Sequence, residues 1–125
     1  MGNRIITVRE KSSEELIAEA VESEGAVLFE GAWYFDRAHV RMNPLLVTER
    51  TYICPYKGVC YWIDLAAPDQ QKENVGFTYF EVNPGYEFIR DKIGFYAGDR
   101  EATIQRAKIH ETAGLQIGGT NDETI

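Results

Sequence analysis

The densest group of reactive side chains lies in the stretch WYFDRAHVRMNPLLVTERTYICPYKGVCYW, from Trp33 to Trp62. Within it, Cys54 stands just before a Pro55-Tyr56-Lys57-Gly58 turn and three residues ahead of Lys57. An ammonium held beside a thiol favours the thiolate, which is the nucleophilic form. The plain alternative is a small buried residue closing a strand, a place where cysteine serves as a hydrophobe. Cys54 and Lys57 are thus the candidate catalytic pair. Arg41, flanked by Val40 and Met42, fits an extended segment with its side chain opposite two core residues. If the turn folds back toward it, Arg41, Tyr56 and Lys57 can hold a carboxylate or phosphate through charge-assisted hydrogen bonds; an exposed salt bridge fits Arg41 equally well. Aromatic residues complete the candidate binding set as Trp33 and Tyr61. Most of the rings in this stretch belong in a core, because they bury large areas. Alternation along a strand sends Tyr61 and Trp62 to opposite faces, so one of the two faces away from the main core.

Other reactive groups are weaker candidates. His39 has no nucleophile near it in the sequence and reads as a surface histidine rather than a general base. Cys60 follows Cys54 across the turn with five residues between, and a redox pair requires the two strand faces to agree. Two cysteines and two histidines without finger-like spacing make no zinc site, and neither metal nor cofactor is expected.

The positioning scaffold follows from length and composition. A chain of 125 residues, 44% hydrophobic and 26% charged, is long enough to bury a core as one domain. Its net charge of -7 repels a phosphate backbone, which argues against nucleic acid and anionic lipid as partners. No apolar run reaches membrane-spanning length, and MGNRIITVREK lacks the apolar centre of a secretory signal, so a cytoplasmic location with both thiols reduced is expected. Ile6 stands where an acylation motif requires Ser or Thr.

Short runs of β-branched and aromatic residues between turn residues predict strands over 4–8, 26–30, 51–54, 59–65, 76–82, 93–97 and 102–106. Pro55 to Gly58 predicts a hairpin, and Gly98-Asp99-Arg100 links the last two strands. Residues 12–20, with capping serines and first-turn acids, have helix propensity, although tertiary pairing can make 16–20 a strand. Asn83-Pro84-Gly85 followed by Tyr86, Ile89 and Ile93 predicts a short helix. Residues 67–74 read as a solvated loop. The domain is expected over 1–107, with a polar tail over 108–125.

Taken together, Trp33-Tyr34-Phe35, then Val40-Arg41-Met42 with Leu46, then Thr51 and Cys54-Pro55-Tyr56-Lys57-Gly58 with Tyr61 and Trp62, resemble the DUF427 family. A looser match continues through Tyr79, Pro84, Tyr86, Ile89, Phe95 and Tyr96, so the likeness covers residues 15–106. The chain departs from the family pattern at Asp36, Asn43 and Cys60, so a Cys54-Cys60 pair is not implied as a family trait. The resemblance implies a mainly β domain with a curved antiparallel sheet, tent-like or barrel-like, with one or two short helices, and it favours a strand at 16–20. It supplies no reaction. A nucleotidyltransferase-like label has been attached to the family, but the chain has neither a Gly-rich phosphate loop nor a closely spaced Asp pair for magnesium. The expected function is binding of a small anionic molecule around the CPYKG turn, with catalysis open. The alternative is a non-catalytic module for partner binding or homodimer formation.

Overall fold

The computed structural model describes residues 4–68 and 70–109. Among the described residues, nine strands form two antiparallel sheets: β1 (Arg4–Glu10), β2 (Leu16–Val21), β3 (Ala26–Phe29), β4 (Ala32–Phe35), β5 (Leu45–Cys54), β6 (Gly58–Ala67), β7 (Gln70–Val82), β8 (Ile93–Tyr96) and β9 (Thr103–Ile109). A three-stranded sheet runs β2-β1-β9, and a six-stranded sheet runs β3-β4-β8-β7-β6-β5. Neither sheet closes on itself, so the molecule is a mainly β domain of two open antiparallel sheets.

The strand at 16–21 overrides local helix propensity because β1 offers it a complete ladder. Ile6 pairs with Ala20 and Val8 with Ala18, and the serines and acids before it form the connecting turn, where Glu14 has a positive φ of 63°. Ile17, Ala18 and Ala20 are buried, and that burial outweighs a propensity difference of a few tenths of a kcal/mol per residue.

Two expectations are corrected. Most of the polar run at 67–74 is strand and not loop: β6 extends to Ala67 and β7 starts at Gln70, with Leu65 opposite Lys72 and Ala67 opposite Gln70. Its polar side chains lie on an arm open to water while the backbone groups pair with each other, so polarity alone did not signal a loop. The helix expected after Asn83 is only a 3-10 turn, Glu87–Ile89, and Ile93 already begins β8. Asp91 takes a φ of 65° and stops the turn from propagating. A second 3-10 turn, Arg37–His39, carries His39 on the surface. Strand β9 reaches Ile109, beyond the boundary expected at 107; the rest of the expected tail lies outside the described residues.

The six-stranded sheet buries residues on both faces, except along its exposed edge strand β5. One face meets the three-stranded sheet through Trp33, Phe35, Ile63 and Phe95 against Ile6, Val8 and Ile17. The other face carries a separate cluster of Tyr34, Cys60, Phe77, Tyr79 and Ile89. Adjacent residues of β4 therefore serve different cores: Trp33 and Phe35 point to one, Ala32 and Tyr34 to the other.

Candidate functional site

The second face holds the candidate site. Cys54 ends β5 and Gly58 begins β6, directly opposite each other across the turn Pro55-Tyr56-Lys57. Gly58 sits at a φ of 131°, and a Cβ there would lie 2.9 Å from Val82 Cα and collide with the Glu81 carbonyl oxygen. Asn83 clamps the turn from β7. Its Nδ2 donates to the carbonyl oxygens of Pro55 and Tyr56 at 3.1 and 2.9 Å, and its backbone N–H donates to Lys57 O at 2.9 Å.

So constrained, the turn aims its amides at sulfur. The Lys57 N–H donates to Cys54 Sγ at 3.4 Å. Burial pushes the Cys54 thiol up, but the N–H groups of Lys57, Tyr56 and Gly58 and the Lys57 ammonium outweigh it, and the net shift is below the ordinary thiol value. Lys57 Nζ lies 2.7 Å from Glu30 Oε1 and 5.8 Å from the centre of the Phe29 ring. Desolvation of this ammonium is more than offset by Glu30, so it stays protonated. Cys60 has the opposite character: burial pushes its thiol up to about 11, against a smaller opposing effect of a hydrogen bond from Tyr79.

Cys54, Lys57 and Cys60 all line a cavity of about 360 Å³. Glu30, Ala32 and Tyr52 form part of its wall, and the rings of Tyr34, Trp62, Phe77, Tyr79 and Tyr96 the rest. Tyr34 is 2% exposed, its phenol is pushed up chiefly by burial, and its hydroxyl has no hydrogen-bond partner among the described residues. Phe77 sits edge-on to Tyr34, Trp62 and Tyr79, with ring centres 5.7, 6.1 and 6.4 Å away, which fixes the aromatic wall.

The structure thus gathers Cys54 and Lys57 and leaves the other four expected site residues elsewhere. Arg41 does not approach the turn. It lines a different cavity of about 290 Å³ beside Glu10 and Asn43, where its guanidinium donates to Leu16 O at 3.1 Å and lies 3.7 Å from Glu15. The segment carrying it is held to β2, not to the hairpin, because the Arg41 N–H donates to Ile17 O. Tyr56, at the tip of the turn, is 72% exposed and outside the cavity wall. Trp33 is buried between the sheets under the Arg4 guanidinium, 5.5 Å from its ring centre. Tyr61 packs on Phe80 at 5.3 Å, on the opposite face from Trp62. Alternation did place Tyr61 and Trp62 on opposite faces, but Trp62 is the cavity residue of that pair and Tyr34 is that of the Trp33-Tyr34 pair. Glu30 was missed altogether; its only sequence signal is its place at the end of the strand run expected over 26–30.

Among the described residues no group of three or more His, Cys, Asp or Glu side chains comes together to hold a metal, and Cys54 and Cys60 are both free thiols. No helix of the described residues is long and apolar enough to cross a membrane.

A two-sheet β domain with a thiol-bearing cavity at a Cys-Pro-Tyr-Lys-Gly turn is the class of protein these features define. The chain belongs to the family described as Domain of unknown function (DUF427), whose model matches residues 7–106. A search of curated proteins finds no match to it.

Proposed function

We propose that this domain binds a small anionic organic molecule in the cavity at the CPYKG turn. Lys57 and Tyr34 take its oxygen-bearing group, and the ring-lined wall takes its apolar part. The observation that carries this reading is Tyr34, which lines the cavity, is buried, feels the nearby Cys60 and Glu30, and has a hydroxyl with no hydrogen-bond partner among the described residues. A buried polar group left unsatisfied costs about 1–3 kcal/mol, and native proteins leave such groups where a ligand or water completes them. The ammonium of Lys57 has three donors, of which Glu30 accepts one. A volume of about 360 Å³ suits a metabolite-sized ligand. The reading includes the curved, tent-like sheet implied by the family resemblance, since bulges such as those at Val59/Cys60 and Ile63/Leu65 bend a sheet. It also sets the protein in a reducing, cytosolic compartment where both thiols stay free.

Thermal melting against a panel of small carboxylates and phosphates tests the proposal. At least one compound raises the melting temperature of the wild type; Lys57→Ala melts cooperatively without that shift, and Arg41→Ala retains it. A panel that leaves the wild type unmoved contradicts the proposal.

Self-association has its own supporting observation. Strand β5 is an edge of the six-stranded sheet and exposes Leu46, Tyr52 and Ile53 at 55, 55 and 71%. An uncovered edge of this kind accepts a second strand, here β5 of another copy in a homodimer. Sedimentation equilibrium would show a monomer-dimer equilibrium weakened by Ile53→Lys; a monomer at every concentration would remove this reading.

A further inference from the structure

Cys54 and Tyr34 present complementary chemistry to one cavity. The sulfur receives the turn's N–H groups and is half-buried at the wall, so a molecule inside the cavity can reach it. Independently of it, Tyr34 lines the same cavity and is buried, its phenol feels Cys60, Glu30, Tyr96 and Cys54, and its hydroxyl lacks a partner among the described residues. An electron-rich sulfur and an unused oxygen-directed donor are the two groups that attack on a carbonyl requires: one for the carbon, one for the oxygen as it gains charge.

The competing use of Cys54 is a disulfide with Cys60. The register disfavours it, because Cys54 stands opposite Gly58 and Cys60 opposite Tyr52, which makes the two cysteines diagonal neighbours. Diagonal Cα atoms are about 7–8 Å apart, beyond the usual reach of a disulfide without backbone movement.

We propose that Cys54 is a nucleophile for acyl transfer, taking the acyl group of a small activated ester or thioester bound in the cavity while the Tyr34 phenol donates to the carbonyl oxygen. The proposal rests on the ligand-binding reading of this cavity. The thiol first releases its proton to solvent. Its sulfur then forms a bond to the acyl carbon, and the carbonyl π pair moves to oxygen, where Tyr34 holds it. As that pair returns, the bond from carbon to the leaving group breaks, and the leaving group departs with its electrons as an alkoxide, phenolate or thiolate. The product is a thioester on Cys54. The turn's N–H groups and the Lys57 ammonium lower the Cys54 thiol while Glu30 raises Lys57, so the ammonium persists as the thiolate forms.

The probe is p-nitrophenyl acetate on the whole protein, read by nitrophenolate release and by peptide mass spectrometry, with iodoacetamide as a second probe. Alkylation by iodoacetamide is a displacement at saturated carbon and uses no oxyanion donor. The expected result is a stoichiometric burst with acetyl on Cys54 and not on Cys60, absent in Cys54→Ser and retained in Arg41→Ala. Tyr34→Phe slows acetylation by about a hundredfold or more, the order of effect of losing one oxyanion donor, while alkylation of Cys54 keeps its wild-type rate. Acetyl found only on other residues, no acetyl at all, or equal slowing of both probes by Tyr34→Phe overturns the proposal. Absence of the burst with ligand-induced melting shifts intact defeats acyl transfer alone; absence of those shifts with the burst intact defeats the anion-binding reading alone.

Discussion

At Gly58 the backbone adopts a φ of 131° against the β7 strand, with Val82 Cα 2.9 Å from where a Cβ would stand. Both the conformation and the close approach call for glycine. Gly58→Ala is expected to lower unfolding stability by about 2 kcal/mol or more, measured by urea denaturation; a loss below about 0.5 kcal/mol, the range of neutral surface changes, would contradict this. At this scale the sequence was readable where chemistry is local. Cys54, Lys57 and Gly58 lie within one turn, so their mutual proximity follows from the turn itself. Tyr34 was not readable in the same way. Alternation says that Trp33 and Tyr34 face opposite ways, but both are buried, at 3 and 2% exposed, so no polar residue marks which side is out. Arg41 was misplaced for a related reason: its backbone partner, Ile17 of β2, lies 24 residues upstream and not beside it in the chain.

The hairpin of β5 and β6 holds the sulfur only because β7 ends against it. Asn83 satisfies two carbonyls of the turn through one amide, and its own N–H reaches a third. Asn83→Ala leaves those two carbonyls without their partner and is expected to cost about 1–2 kcal/mol, read by thermal or urea melting. The loosened turn should also release its amides from Cys54, so the alkylation midpoint rises; a destabilised variant with an unchanged midpoint would show that β7 does not position the sulfur. Most strands were legible from β-branched and aromatic runs. The arms of β6 and β7 beyond Leu65 were not, because a strand pair open to water on its faces can be made of Gln, Lys and Glu as readily as a loop. The 16–21 strand was hidden by its own helix formers until β1 supplied the ladder.

Across the whole molecule, stability and chemistry are divided between the two faces of one sheet. Phe35 is fully buried on the inter-sheet face, and Phe35→Ala should cost about 3–5 kcal/mol, whereas Tyr56→Ala, at an exposed turn, should stay within about 0.5 kcal/mol. Equal losses in the two variants would contradict that division. The net charge of -7 surrounds a cavity with one ammonium, so an approaching anion is repelled at long range and held only at contact. Its association rate is therefore expected to rise as salt is added, because screening acts first on the distant charges; a rate that falls with salt would place an attractive field at the mouth. Composition revealed the overall charge, while the location of the single ammonium required the fold.

The pH dependence of Cys54 alkylation, followed in wild type, Lys57→Ala and Arg41→Ala, bears most directly on the arrangement of thiol and ammonium. A depressed thiol loses its proton at lower pH, so the wild-type midpoint should fall below that of a free cysteine thiol under the same conditions. Removing the Lys57 ammonium should raise that midpoint, and removing the distant Arg41 guanidinium should leave it in place. A wild-type midpoint at or above the free value, or the same rise in Arg41→Ala as in Lys57→Ala, would contradict the arrangement.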